Sequence, residues 1–105
     1  METYCILMNF SGASVGNVEE AKKTEESMLK AIAAVGGKLV ANYTLLGRYD
    51  VLTILEVPDG KAIATLMHGM KLNQPGISTE TLRAFTQEEY GDVLQSVGSL
   101  LGGAS

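Results

Sequence analysis

The chain has 105 residues, of which 46% are hydrophobic, and its 8 Lys and Arg residues are outnumbered by 12 Asp and Glu residues. This length predicts a single domain, and a net charge of −4 argues against general binding to nucleic acids or anionic membranes. One cysteine excludes an internal disulfide and an all-cysteine zinc site. The mean hydropathy of +0.14 is high for a small domain that stays alone in solution.

Nothing in the sequence indicates targeting or membrane insertion. The first residues lack the basic region of a signal peptide, and no apolar run reaches the ~18 residues that span a bilayer. We therefore expect a cytoplasmic protein. Cys5 lies within an apolar run, which favours a buried small hydrophobe over a reactive thiol.

The chain begins with a predicted strand and a predicted helix. Residues 4–10 are mostly apolar and end at a Ser-Gly pair, as a strand would. Asn17 and Glu20 form a capping box that opens a helix, which runs to about Val35 and stops at two glycines. Its apolar stripe predicts which side faces the core and comprises Val18, Ala21, Met28, Leu29, Ile32 and Val35.

A hairpin is predicted next. Residues 38–46 and 49–57 have strand character, and only Gly47 and Arg48 separate them. A two-residue loop with glycine first suits a type II′ turn, so the two strands should pair antiparallel.

The second half predicts a helix, a strand and a last helix. Pro58-Asp59-Gly60 precedes a helix that runs to about Leu72, with Ile63, Leu66, Met67 and Met70 on its apolar side. Residues 78–85 form the fourth strand. Thr86 and Glu89 make a second capping box, and the helix after it places Val93, Leu94 and Val97 on one side. Residues 98–105 are expected to form a glycine-rich tail beyond a domain spanning 1–97.

The element order β-α-β-β-α-β with a C-terminal helix predicts an α+β fold of the ferredoxin-like type. It has a four-stranded antiparallel sheet and two helices on one face. The other face should turn polar if it meets water, yet the strands are apolar on both faces. In the second strand, Leu39, Ala41, Tyr43 and Leu45 are predicted to oppose Val40 and Leu46. We therefore expect the sheet to associate with another copy as a homodimer or higher homo-oligomer.

Two motifs give the chain a resemblance to a known family. They are Gly47-Arg48-Tyr49-Asp50 and the segment Thr79-Glu-Thr-Leu-Arg-Ala-Phe85. Together with Gly-Gly-Lys-Leu at 36–39, they resemble the GYD-domain family over roughly residues 3 to 95. The resemblance implies a ferredoxin-like domain of the dimeric α+β-barrel type, and it implies no particular activity.

Asp50, Glu80 and Arg83 are the leading candidates for chemistry. Glu80 and Arg83 are three residues apart on one strand and should project to opposite faces, so each needs a separate partner. One interpretation is an ion-pair network at a subunit interface. The other is a polar cluster around a small-molecule cavity, with Arg83 or Arg48 holding an anion and Asp50 or Glu80 acting as a base.

Other candidates are less direct. Glu25 falls within the apolar stripe of the first helix and either reaches its rim or points into a cavity. Tyr43 and Tyr49 have hydroxyls that could serve that cavity. His68 is the only histidine, so one chain cannot supply a two-histidine metal site. No metal or cofactor motif is found, and we expect His68 to be solvated or at an interface rim.

The sequence leaves three functions open. The first is a homo-oligomeric small-molecule-binding or regulatory protein. The second is a cofactor-independent oxygenase or isomerase, by analogy with enzymes of the dimeric α+β-barrel kind. The third, a trimeric signalling protein with a ferredoxin-like fold, is disfavoured because no long loop separates the second and third strands.

Overall fold

The computed structural model describes residues 1–10, 18–74 and 76–102. The predicted Ser-Gly strand end, the capping residue Asn17 and the last three residues lie outside these ranges. The described elements, in chain order, are β1 (Glu2–Phe10), α1 (Val18–Ala34), β2 (Lys38–Thr44), β3 (Val51–Val57), α2 (Gly60–Asn73), β4 (Ile77–Ala84) and α3 (Gln87–Gly102).

The four strands form one sheet in the order β2-β3-β1-β4, and every neighbouring pair is antiparallel. The predicted ferredoxin-like α+β fold is therefore confirmed. Helices α1 and α2 cover one face of the sheet, where the core lies between them and the two central strands. The buried residues of this core are Ile6, Met8, Leu55 and Val57 from the sheet and Ile32, Ile63 and Leu66 from the helices.

Helix α1 presents a narrower apolar side than the sequence predicts. Ile32 is buried and Met28 and Val35 pack against the core, but Val18 and Leu29 are exposed. Residues 18–23 are all exposed, so the N-terminal part of the predicted stripe does not belong to the core.

The C-terminus of α1 is closed by two glycines with different roles. Gly36 has a φ of +78° and donates to Ala33 O, while Gly37 donates to Ile32 O at 2.8 Å. This is the Schellman pattern of paired bonds. Gly37 is also packed too tightly for a side chain, because a Cβ atom there would lie 2.9 Å from Val57 Cγ1.

The hairpin between β2 and β3 is longer than predicted. The strands end at Thr44 and restart at Val51, and the last bond across the loop runs from Leu45 N to Asp50 O at 2.8 Å. The prediction of a two-residue turn is therefore wrong, although the antiparallel pairing is correct. Gly47 still supplies the left-handed conformation of the turn, with a φ of +119°.

A β-bulge in β2 corrects the predicted faces of that strand. Leu39 pairs with Leu55, but Ala41 pairs with Ile54, so Val40 is an extra residue between two registers. Ala41 therefore faces away from the helices instead of sharing the side of Leu39. The shift turns Asn42 toward the core side, where its Oδ1 accepts a 2.7 Å hydrogen bond from the buried Thr53 hydroxyl.

No helix of the described residues packs on the second face of the sheet, and the centre of this face is largely apolar. Cross-strand pairing places two central rows of residues on it, beside a more polar row of Lys38, Glu56, Thr3 and Ala84. We call this surface the open face; its central rows are Tyr43, Leu52, Leu7 and Glu80, and Ala41, Ile54, Cys5 and Leu82. None of these residues is fully buried in the single chain.

Helix α3 extends to Gly102, so residues 98–102 are helical rather than part of the expected tail. Leu100 and Leu101 have good helix propensity and offset the cost of the nearby glycines. Within the described part of the chain, α3 packs extensively against no other element. The molecule has a long axis of 62 Å and a radius of gyration of 16.8 Å, compared with a radius of gyration of about 13 Å for a compact domain of this length.

Candidate functional site

Asp50 is fixed at the end of the β1–β3 pairing by three backbone or side-chain contacts. Its N–H donates to Met8 O at 2.9 Å and its carbonyl accepts from Leu45 N. Its carboxylate Oδ2 accepts a 2.8 Å hydrogen bond from the backbone N–H of Phe10. The side chain thus continues the ladder where β3 has ended, and it satisfies a donor that would otherwise be unpaired.

Tyr49 connects the same loop to the far edge of the sheet. Its hydroxyl donates to Glu80 Oε2 at 2.6 Å, and Glu80 belongs to β4, with β1 lying between. Leu7 of β1 pairs directly with Glu80, so this hydrogen bond lies at the rim of the open face. The bond to the Glu80 carboxylate raises the pKa of the Tyr49 phenol above its usual value.

Arg48 is exposed and contributes a weak contact. Its guanidinium carbon lies 5.6 Å from the centre of the Tyr49 ring, which is a cation–π distance. The four residues from Gly47 to Asp50 therefore form one unit, in which the glycine turns the chain, the tyrosine reaches β4 and the aspartate holds β1.

Arg83 lies in a second cluster at the start of α3. Its Nη1 donates to the carbonyls of Thr3 and Ala84, and its Nη2 is 3.2 Å from Glu89 Oε2. The guanidinium carbon also lies 4.4 Å from the ring centre of Phe85. These contacts use most of the donors of Arg83 within its own chain, and they attach α3 to β1 and β4.

Glu89 completes the capping box that the sequence predicts. Thr86 N donates to Glu89 Oε1 at 3.0 Å, and Glu89 N donates to Thr86 Oγ1 at 3.1 Å. The Thr86 N–H and the Arg83 guanidinium both favour the ionised carboxylate, so the pKa of Glu89 lies below its usual value. The sequence indicates the cap but not the ion pair, because it does not specify which way Arg83 points.

The remaining candidates lie apart from these two clusters. Tyr43 is exposed on the open face, whereas Glu25 is exposed on α1 and His68 is exposed on α2. The structure therefore brings together Tyr49, Asp50 and Glu80 in one region and Arg83 in another. Glu80 and Arg83 have separate partners, Tyr49 and Glu89 respectively.

A groove between α1 and α2 is a feature that sequence reasoning missed. It has a volume of about 240 Å³ and is open to solvent on one side. Apolar atoms of Met28, Leu66 and Met70 line its floor, and Thr24, Ser27 and Asn73 supply polar groups. Small residues on both helices, including Ala31, Ala34 and Gly69, leave the space between them. Small residues in a helix carry no distinctive functional signal, which explains why the groove was not predicted.

Within residues 1–10, 18–74 and 76–102, no three His, Cys, Asp or Glu side chains lie close enough together to hold a metal ion. In that same part of the chain, no helix has the length and apolar character needed to cross a membrane.

These observations define a ferredoxin-like α+β fold in which no helix of the described residues covers the second sheet face, and in which the Gly-x-Tyr-Asp loop between β2 and β3 contacts both β1 and β4. The family model for the GYD domain matches residues 4–94, which include this loop, and the chain therefore belongs to the GYD-domain family. No functionally curated protein matches it in sequence.

Several solved structures share the fold. 30S ribosomal protein S6 from Thermotoga maritima is 19% identical with a TM-score of 0.66, and the match covers 90% of this chain and 99% of that one. FFRP-DM1 is 22% identical with a TM-score of 0.57, over 81% of this chain and 100% of its own. A protein from Thermus thermophilus is 24% identical with a TM-score of 0.53, over 82% of this chain and 95% of its own. Identities this low establish a common fold alone.

Proposed function

We propose that this chain is the subunit of a homodimer, formed through the open face, that acts as a small-molecule-binding or regulatory protein. The observation that carries the proposal is the open face itself. Sheets that face water normally alternate apolar and polar residues. Here one row is apolar across all four strands, and the other is apolar across three and ends at Glu80. Soluble monomers rarely leave continuous apolar patches of more than a few hundred Å² uncovered. A two-fold interface would cover the same patch on both subunits at once.

Sedimentation velocity at micromolar concentration tests the assembly with a matched pair of leucine variants. Leu82 is 45% exposed on the open face, and Leu72 is 86% exposed on α2. Because both side chains already meet solvent in the single chain, Glu at either position should leave the subunit folded. We expect wild type and Leu72→Glu to sediment as dimers and Leu82→Glu as a monomer. A folded wild-type monomer would refute the dimer.

The groove between α1 and α2 supports the binding part of the proposal. Ligand sites are usually concave and mainly apolar, with a few polar groups that orient the ligand. The groove has this composition. Its volume of about 240 Å³ suits a molecule of up to about a dozen heavy atoms that remains partly exposed to solvent. The candidate acid and base groups support binding rather than catalysis, because Asp50 and Arg83 are already occupied by contacts within the chain.

Native mass spectrometry of protein purified from its own host tests this part. We expect a retained small mass on wild type. Ala34 and Ala33 are adjacent, exposed residues of α1, and only Ala34 lines the groove. Ala34→Phe should therefore abolish the retained mass and Ala33→Phe should preserve it. Wild type without any retained mass, or equal retention by both variants, would contradict a ligand site in the groove.

A further inference from the structure

Helix α3 carries a second uncovered apolar surface. On a helical wheel of 100° per residue, its large apolar residues fall within an arc of about 120°. We call this surface the α3 stripe; its members are Tyr90, Val93, Leu94, Val97, Leu100 and Leu101, and each is between 37% and 81% exposed. The opposite side of the helix carries Glu88, Asp92, Gln95 and Ser99. This is the pattern of a helix that packs against a surface along its whole length.

Among the described residues, no other element of the single chain packs extensively on α3. The ion pair that joins α3 to the sheet, Glu89–Arg83, lies at the first turn of the helix. A strand of nine residues spans about 30 Å and a helix of sixteen residues about 24 Å. The 62 Å long axis exceeds the length of either element and is consistent with an α3 that extends beyond the sheet. An isolated helix of this length is marginally stable in water. Packing by a partner would therefore stabilise it.

The solvent-accessible area of the single chain exceeds that of a typical monomer of its mass, and the excess is as large as a stable dimer interface. A folded monomer of 11.1 kDa exposes about 5,700 Å², whereas this chain exposes 7247 Å². If two copies each covered the excess of about 1,600 Å², they would bury about 3,000 Å² in total, which lies within the range of obligate dimers.

We propose that α3 of each subunit packs its stripe on the open face of the other subunit, so that two copies exchange their C-terminal helices. This inference rests on the proposed dimer and specifies what covers the open face. One two-fold axis gives every uncovered surface a partner. The α3 stripe of the first copy packs on the open face of the second copy, and the α3 stripe of the second copy packs on the open face of the first. The α3 stripe carries no charged residue, and the one acid in the two central rows, Glu80, is already bonded to Tyr49 at the rim. Lys38 and Glu56 of the open face lie in the neighbouring row.

The groove between α1 and α2 is a poorer site for α3. Its lining includes the polar side chains of Thr24, Ser27 and Asn73. An apolar stripe packed over them would remove their contact with water and supply no hydrogen-bond partner. The two central rows of the open face carry only one charged side chain, Glu80, which already has a partner.

The first test compares two double variants of α3 that add the same charge on opposite sides. Leu94→Glu with Val97→Glu alters the stripe, while Gln95→Glu with Ser99→Glu alters the polar side. All four residues are exposed in the single chain, so neither variant should unfold the domain. We expect sedimentation velocity to show the stripe variant as a monomer and the polar-side variant as a dimer.

The second test locates α3 by cross-linking. Cys5, the only cysteine, lies on the open face. A tagged Cys5→Ser, Val97→Cys chain is mixed with the untagged wild type and treated with a short bis-maleimide. We expect a covalent heterodimer of tagged and untagged chains, and none when Ser99→Cys replaces Val97→Cys. A Val97→Cys chain that retains Cys5 serves as the reverse check, because a purely intramolecular cross-link there would mean that α3 covers its own sheet.

The outcomes separate this inference from the proposed dimer. If Leu82→Glu dissociates the dimer but the stripe variant does not, the dimer stands and the helix exchange is refuted. If neither variant dissociates a wild-type dimer, both the open-face interface and the exchange are refuted. A purely intramolecular cross-link, or no cross-link from Val97→Cys, would also overturn the exchange.

Discussion

The carboxylate of Asp50 accepts a 2.8 Å hydrogen bond from the backbone N–H of Phe10, a residue 40 positions earlier in the chain. Regular pairing of β1 with β3 ends at Met8 and Val51. Asp50 extends this pairing in two ways. Its N–H donates to Met8 O, and its carboxylate takes the place of a backbone carbonyl as the acceptor for the Phe10 N–H. The aspartate of the Gly-x-Tyr-Asp loop is therefore a structural clamp on the first strand.

Removing this clamp should destabilise the domain. Asp50→Ala leaves the Phe10 N–H without its acceptor, and we expect a loss of about 1–2 kcal/mol in the free energy of unfolding measured with urea. Asp50→Asn keeps an oxygen that can accept the bond, so its loss should be smaller. Equal stability of Asp50→Ala and wild type would show that the carboxylate does not hold β1.

Gly37 should tolerate no side chain. A Cβ atom would lie 2.9 Å from Val57 Cγ1 and 3.0 Å from two backbone oxygens, so Gly37→Ala should cost about 1–3 kcal/mol through overpacking. Gly69 of α2 is the control, because a Cβ there meets nothing within 4 Å. Gly69→Ala should raise stability by about 0.5–1 kcal/mol through better helix propensity. Similar effects of the two substitutions would contradict the close packing at Gly37.

The attachment of α3 should weaken in acid. The pKa of Glu89 in the folded chain lies below its usual value of 4.5, because the Thr86 N–H and Arg83 stabilise the carboxylate. Because folding lowers the pKa of Glu89, the ionised carboxylate stabilises the folded chain at any pH above the pKa of the unfolded chain. This stabilisation is lost as the pH falls through the pKa of the folded chain. Glu89→Gln should therefore lower helix content at neutral pH, as measured by circular dichroism, and the difference from wild type should vanish in acid. A difference independent of pH would contradict this role.

The Tyr49–Glu80 bond should give the opposite pH dependence. The bond to Glu80 raises the pKa of Tyr49 above 10.0, so its contribution to stability is complete below pH 10.0 and is lost as the pH rises through the folded value. Spectrophotometric titration of phenol ionisation measures this directly. Tyr49→Phe should reduce the amplitude of the late phase. The Tyr4 phenol should continue to contribute to that phase, because its hydrogen bond to Glu2 also raises its pKa. If Tyr49→Phe leaves the late phase intact, the bond is absent in solution.

The element order and fold were predictable because each strand and helix has a clear local pattern. The capping box of Thr86 and Glu89 is an example, since a short segment contains all of its chemistry. The core residues of α2 followed from the helical period in the same way. The shorter β3 did not, because Asp50 is drawn to β1 by Phe10, a residue that only the folded sheet brings near.

The pairing of candidate residues depended on strand order. Tyr49 meets Glu80 because the loop before β3 lies beside β1, and β1 pairs with β4, the strand that carries Glu80. Arg83 and Glu89 meet because the chain turns between β4 and α3. The sequence identified these residues as polar and unusual, but it could not tell which of them would share a partner.

The bulge at Val40 makes the faces of β2 depend on strand register as well as on side-chain chemistry. A regular ladder in which Val40 paired with Ile54 would place Asn42 on the open face and turn Tyr43 toward the helices, with no substitution in either row. The buried Thr53 hydroxyl would also lose Asn42 as its acceptor. Among related chains, a change of register in β2 is therefore a route by which this domain can gain or lose the proposed self-association during evolution.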